Sequence, residues 1–481
     1  MEPCPSPFNL AEYVLARAKL QPDKVALALL GRYKAQRWHY GRLEAAIRAV
    51  GQGLLNEGLK PGDQLLLRLG NGVAFPLAYL GAIAVGIIPI PTSAQLTTPE
   101  LDRMLSHITP KAQIAGPGIA LPTAALHTIT ESDLLAMEGG PEAPYAQGGP
   151  NRLAYIMFTS GTSGEPKAVA HAHRAVWARR MMFDDWYGLR EGDRLLHAGA
   201  LNWTFTLGTG LLDPWAVGAT ALIPEDATDL ASLPLLLKRH DATLFAAAPG
   251  VLRRLLQDPS KLNLPKLRHT LTAGEHLQPA LRHAWEEATG KGLYDAFGMT
   301  ECSTFLSASP SGAPSLTAQK GRKISVLEDA TIAIHKDEQG LMLGYLENGT
   351  PKLPLDGDWF RTSDKALRSE DGTITYQSRV SDILNAGGYR VSPLEIEGVL
   401  SAHARIDEAA VTEVSRDNTS YLAACYTGPA PLDPADLDAY AATNLARYKQ
   451  PRAYKHVPTL PRGPNGKLLR RALPALFEAQ T

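Results

Sequence analysis

Along the chain, apolar residues recur first at the spacing of a helix and then in short continuous runs. Leu43, Ile47, Val50 and Leu54 fall on one helical face. Gly58 stops that helix, Pro61-Gly62-Asp63 turns the chain, and QLLLRL at 64–69 reads as a strand. The uncharged stretch at 73–91 nears the length that spans a bilayer, but Pro76, Gly81, Gly86, Pro89 and Pro91 interrupt it. A buried helix over 75–85 and a buried strand over 87–90 account for it without a membrane span. The rhythm then returns. LAYIMF at 153–158 is a strand followed by a Gly-rich loop, TLFAAAP at 243–249 and LRHTLTA at 267–273 are further strands, and 279–290 is a helix. This alternation predicts an α/β fold of layered subdomains with mostly parallel sheets. Pro and Gly cluster at 139–150, which reads as a surface loop before the strand at 153.

The last hundred residues carry a different pattern. Ser392-Pro393-Leu394-Glu395 reads as a capping box with Pro at the first helical position, opening a helix to about residue 402. Strand patterns follow at 408–414 and 421–427, then a helix over 434–447. They predict a small α+β domain. With 481 residues the chain exceeds one hydrophobic core. We expect domains at 1–380 and 381–481, with the boundary near Arg379 to Asp382.

Charge narrows the partners. Lys plus Arg number 48 and Asp plus Glu 49, so nothing in the balance calls for nucleic acid or an anionic membrane. Cys4, Cys302 and Cys425 are too few and too scattered for a disulfide framework or a CxxC metal site, which fits a reducing compartment. The first twenty residues lack the basic start and apolar run of a secretion signal, so a cytoplasmic location is expected.

The strongest local chemistry is Thr159-Ser160-Gly161-Thr162-Ser163-Gly164-Glu165-Pro166-Lys167, directly after a strand. Glycines let backbone N–H groups approach an anion, Ser and Thr add hydroxyl donors, and Lys adds charge. No Gly-Lys-[Ser/Thr] ends it, so it is not a Walker A loop, and it lacks the GxGxxG of a dinucleotide fold. By composition alone it is either a polyphosphate cradle or a polar surface loop.

This loop, with His173 beyond it, resembles the phosphate-loop signature of the acyl-adenylate-forming superfamily, which includes acyl-CoA synthetases, luciferases and the adenylation domains of peptide synthetases. The resemblance continues in order to the C-terminus. Ala273-Gly274-Glu275 and the segment from Tyr294 to Glu301 are similar to the adenine-binding and catalytic segments. There Asp295 and Phe297 would face the nucleotide, Thr300 would donate to the α-phosphate, and Glu301 would give Mg²⁺ a hard oxygen ligand. Asp364 and Arg379 match the residues that hold the ribose. Gly387-Gly388-Tyr389-Arg390 resembles the turn lining the pantetheine tunnel of CoA ligases, and the hinge on which the small domain swings is expected at Ser381 and Asp382, although Ser381 stands where the family usually carries Asp or Lys. Pro461 to Lys467 resembles the mobile closing loop, with Lys467 as its catalytic lysine. The departures are Ala168 in place of Gly, Ala330-Thr331 in place of Gly-Glu, and a short, poorly matched stretch at 307–335.

The resemblance implies an AMP-forming acid–thiol ligase using ATP and Mg²⁺. A carboxylic acid becomes its acyl-adenylate with release of pyrophosphate, and the acyl group then passes to coenzyme A. Asn202, Trp203 and Thr204 look like the acyl pocket. Amino-acid-activating relatives place an Asp in that segment. None stands here, so an aryl or short- to medium-chain acid is expected. Trp203 is either the pocket's end wall or a core aromatic. Alternatives are an enzyme loading a carrier-protein phosphopantetheine, an ADP-forming ligase, and a non-catalytic nucleotide-binding protein on the same fold. The acid's identity and the oligomeric state, a homodimer included, stay open.

Overall fold

The computed structural model describes residues 2–31, 33–160, 166–226, 228–310, 312, 315–379, 384–386, 389–416, 419–445, 447–463 and 466–478. Contacts divide the chain into two compact units. The larger comprises Met1–Gly274, Trp285–Lys323 and Ile334–Phe360, and the smaller comprises Glu275–Ala284, Ile324–Ala333 and Arg361–Thr481.

The helical face read from the sequence is the helix Tyr40–Asn56, whose Leu43, Ile47, Val50 and Leu54 are all fully buried. Gly58 ends it at a φ of 89°, where a side chain would be strained. The uncharged stretch is the helix Ala74–Ala84, buried on every side, followed by the strand Ile88–Pro91. No helix among the described residues is long and apolar enough to cross a membrane. Glycines let these two helices approach closely. A Cβ on Gly51 would lie 2.9 Å from the Gly81 carbonyl oxygen, and one on Gly81 would lie 3.0 Å from that of Ile47.

The larger unit holds a nine-stranded sheet with a parallel centre. Six strands run parallel in the order Leu293–Gly298, His269–Ala273, Leu244–Ala246, Arg194–His197, Thr220–Pro224, Val25–Leu30. Antiparallel strands close both edges. A second sheet, centred on Gln64–Arg68, is parallel throughout. The strand before the Gly-rich loop breaks this pattern. Leu153–Ser160 pairs antiparallel with Pro166–Ala172, which itself pairs antiparallel with Gly344–Glu347. The loop at 139–150 is irregular as expected, yet it is not free. It straps down the helix pair through Ala143 N–H to Arg48 O, Ala146 N–H to Ala84 O and the Tyr145 hydroxyl to Glu44, with Ala143 buried.

In the smaller unit the helices Pro393–Ser401 and Pro434–Asn444 accompany the sheet of Glu408–Arg416, Thr419–Thr427 and Ala453–His456. Ile396, Leu400, Val411, Leu422, Tyr426 and Leu437 form its core. The capping box does not form. Ser392 instead donates its hydroxyl to Gln377 O at 2.6 Å, and Glu395 accepts from Lys449 Nζ at 2.5 Å. Tertiary partners have taken both groups, and Pro393 alone marks the helix start.

Candidate active site

In the larger unit, parallel pairing sets Ala273 beside Ala296, so the Ala273-Gly274 turn and Phe297 emerge together at the carboxyl ends of neighbouring strands. Such ends are where open α/β sheets take ligands. Phe297 is half-buried and meets Phe305 edge-on, with centroids 5.5 Å apart. Gly274 has a φ of 95°, and a Cβ there would lie 2.7 Å from the Trp203 ring. Trp203 is thus half-buried over the turn and meets Phe205 edge-on.

Thr300 and Glu301 follow this strand and are clamped through their backbone. His171 Nε2 lies 2.8 Å from Thr300 O, and Met342 N–H donates to Glu301 O at 2.8 Å. Burial pushes the His171 imidazole down to about 4, so it is neutral at pH 7 and Nε2 carries the proton donated to Thr300. The Glu301 carboxylate accepts from the Tyr345 hydroxyl at 2.7 Å. Burial, reinforced by the Glu301 charge, holds that hydroxyl protonated. Lys167 Nζ stands 4.8 Å from the centre of the Tyr345 ring, a cation–π contact, and pairs in register with Thr159. Lys167, Tyr345 and Glu301 therefore form one connected set.

A cavity of about 30 Å³ opens beside Thr300. It is lined by Thr204, Ser303, His171, Tyr79 and Arg179 among others. Asn202 and Trp203 do not line it. Arg179 reaches it beneath Gly208, whose Cβ would lie 2.3 Å from the guanidinium carbon. Arg179 forms a fork with Asp213, Nε to Oδ1 at 2.8 Å and Nη2 to Oδ2 at 2.5 Å, and Tyr187 donates to the same carboxylate at 2.7 Å. Both charges are buried. Asp213→Ala is expected to destabilise the fold by about 3–5 kcal/mol, since it strands a buried guanidinium. Urea unfolding at neutral pH measures this, and a loss under about 1 kcal/mol would mean that water reaches Arg179.

In the smaller unit Asp364 is buried opposite Arg379 on paired strands. It accepts from the Tyr376 hydroxyl at 3.3 Å. The closing loop is braced by Arg462, which pairs with Glu408 and Glu275 and donates to Gly466 O at 2.6 Å. Gly463 N–H donates to Lys467 O at 2.8 Å, and the Lys467 residue is exposed. Gly161, Thr162, Ser163, Gly164, Ser381, Asp382, Gly387 and Gly388 lie outside the described residues. So do the side chains of Ser160, Arg379, Tyr389 and Arg390.

Sequence reading missed His171, Tyr345 and the bracing by Arg462. Arg462 stands inside the closing segment singled out by resemblance, which was the available signal.

The family description "AMP-binding enzyme" matches residues 14–349, and "AMP-binding enzyme C-terminal domain" matches 395–467. A 4-hydroxybenzoate–CoA/benzoate–CoA ligase of Rhodopseudomonas palustris is 29% identical over 90% of this chain and 88% of its own. The benzoate–CoA ligase of Thauera aromatica is 27% identical over 90% and 89%. The solved benzoate CoA ligase from Burkholderia xenovorans superposes with a TM-score of 0.85 at 25% identity, covering 97% of this chain and 99% of that one. The architecture, the order of signatures and these matches agree: the chain belongs to the AMP-binding enzyme family and is a ligase.

Proposed function

We propose that this ligase converts an aromatic carboxylic acid to its coenzyme A thioester through an acyl-adenylate. The observation that carries the reading is the clamped Thr300-Glu301 turn, set between the Lys167–Tyr345 pair and a cavity lined by Thr204. The turn would offer an α-phosphate donor on a backbone held by two hydrogen bonds, with a small polar cavity beside it. The relatives named for benzoate and hydroxybenzoate support an aryl acid.

In the first step a carboxylate oxygen attacks the α-phosphorus and pyrophosphate leaves. In the second a thiolate attacks the acyl carbon and AMP leaves. Thr159, the loop through Gly164 and Lys167 would screen the phosphates. Phe297 and the Gly274-Glu275 turn would take adenine, Asp364 and Arg379 the ribose, and the turn from Gly387 to Arg390 the pantetheine arm. Mg²⁺ commonly rests on one carboxylate plus phosphate and water oxygens. Glu301, oriented by Tyr345, fits that need, and the ion would neutralise phosphate charge. The three free cysteines support a reducing, cytoplasmic setting.

The test is pyrophosphate release with a panel of aryl and aliphatic acids, followed by transfer to free CoA or to a carrier protein. Turnover of aliphatic acids alone would overturn the aryl assignment, and transfer to a carrier protein but not to CoA would overturn the acceptor. Tyr345→Phe is expected to lower kcat/KM for MgATP about tenfold, because a hydrogen bond to a charged group is lost. An unchanged value would leave Tyr345 as mere packing.

A further inference from the structure

The cavity beside Thr300 has a composition that the adenylation chemistry does not use. Two buried polar atoms on its lining residues, Tyr79 Oη and His171 Nδ1, have no hydrogen-bond partner among the described residues. Burial holds the Tyr79 phenol protonated, so it is a donor. His171 is neutral and spends its one proton on Thr300 O, so Nδ1 is a lone-pair acceptor. Ser303 Oγ accepts from Arg179, which leaves its own proton to give. The cavity thus offers two donors and one acceptor.

Charge and size restrict what fits. Arg179 is already neutralised by Asp213, so a second carboxylate would find no counter-charge. About 30 Å³ admits one small polar group and no further ring. A hydroxyl has one proton to give and two lone pairs to fill, the complement of this set.

We propose that the cavity receives a hydroxyl carried by the acid away from its carboxylate, so that the preferred substrate is a hydroxy-substituted acid recognised by Tyr79, His171 and Ser303. The inference rests on acid activation at Thr300. It also accounts for the buried unpaired atoms, which weaken the fold and are retained where a ligand completes them.

The experiment compares kcat/KM for pyrophosphate release, using the full chain, across benzoate, the three monohydroxybenzoates and the matching methylbenzoates. A methyl group matches a hydroxyl in size without its hydrogen bonds. At least one hydroxy acid should exceed its methyl counterpart by about 100-fold or more, since a site built for a hydroxyl rejects analogues lacking it. Tyr79→Phe should reduce that ratio about tenfold or more, with no fall in Tm, because it deletes an unpaired hydroxyl. Ser303→Ala should reduce the ratio independently. A wild-type ratio near one, or a ratio that survives both variants, overturns the proposal and leaves a cavity holding a structural water only. No turnover with any acid would overturn the ligase reading itself, and this inference with it.

Discussion

Lys467→Ala is expected to abolish acid-dependent pyrophosphate release, by 10²–10³ or more, while still converting supplied acyl-adenylate and CoA to thioester. In the first step two anions meet, and negative charge concentrates between the carboxylate and the α-phosphate as the new P–O bond forms. An ammonium placed there contributes a few kcal/mol. After the adenylate exists, that charge has no further task. The loop should survive the substitution. Its closure uses the Lys467 carbonyl, and its bracing runs through Arg462 to Glu275, Glu408 and Gly466. None of these involves the ammonium as their partner. Acylation of the amine would act in the same way, by removing the charge. A variant that forms adenylate at the normal rate would sink the assignment. Equal loss of both steps would show damage to the loop.

Acid should unfold the larger unit early. His171, His173, His197 and His269 are all buried there. Burial pushes His171 and His269 down to about 4, and His173 and His197 down to about 3. His173 Nδ1 accepts from Leu10 N–H and His197 Nδ1 from Gly199 N–H, bonds that a protonated nitrogen cannot make. As pH falls from about 6.5 towards 4, the unfolded chain takes up protons that the folded chain refuses, so stability falls with pH. Each such histidine adds about 1.4 kcal/mol per pH unit to the slope. The urea midpoint should therefore drop steeply between pH 6.5 and 5 and stay flat above pH 7.5. A midpoint unchanged at pH 5 would mean that these imidazoles titrate normally.

The elements were legible where the signal was local. Leu43, Ile47, Val50 and Leu54 declare a helix by spacing alone, and Gly58 declares its end. Ser392 misled because its real partner, Gln377 O, is reached only through the fold. The same reason hid the contacts that support the candidate site. Tyr345 is 44 positions from Glu301, Thr300 is 129 from His171, and Glu275 is 187 from Arg462. No window along the chain contains both members of such a pair. Thr300 and Lys467 were singled out through resemblance to ordered signatures, whereas the contacts around them followed only from geometry.

The division into two units has an optical consequence. Trp38, Trp177, Trp186, Trp203, Trp215, Trp285 and Trp359 are all the tryptophans of the chain, and every one belongs to the larger unit. Indole emission therefore reports on that unit alone, and the smaller one contributes only tyrosine signal. A single indole introduced at Tyr454, half-buried beside the smaller unit's core, would give that unit its own voice. Difference spectra against the parent chain would then time each unit's response to nucleotide separately.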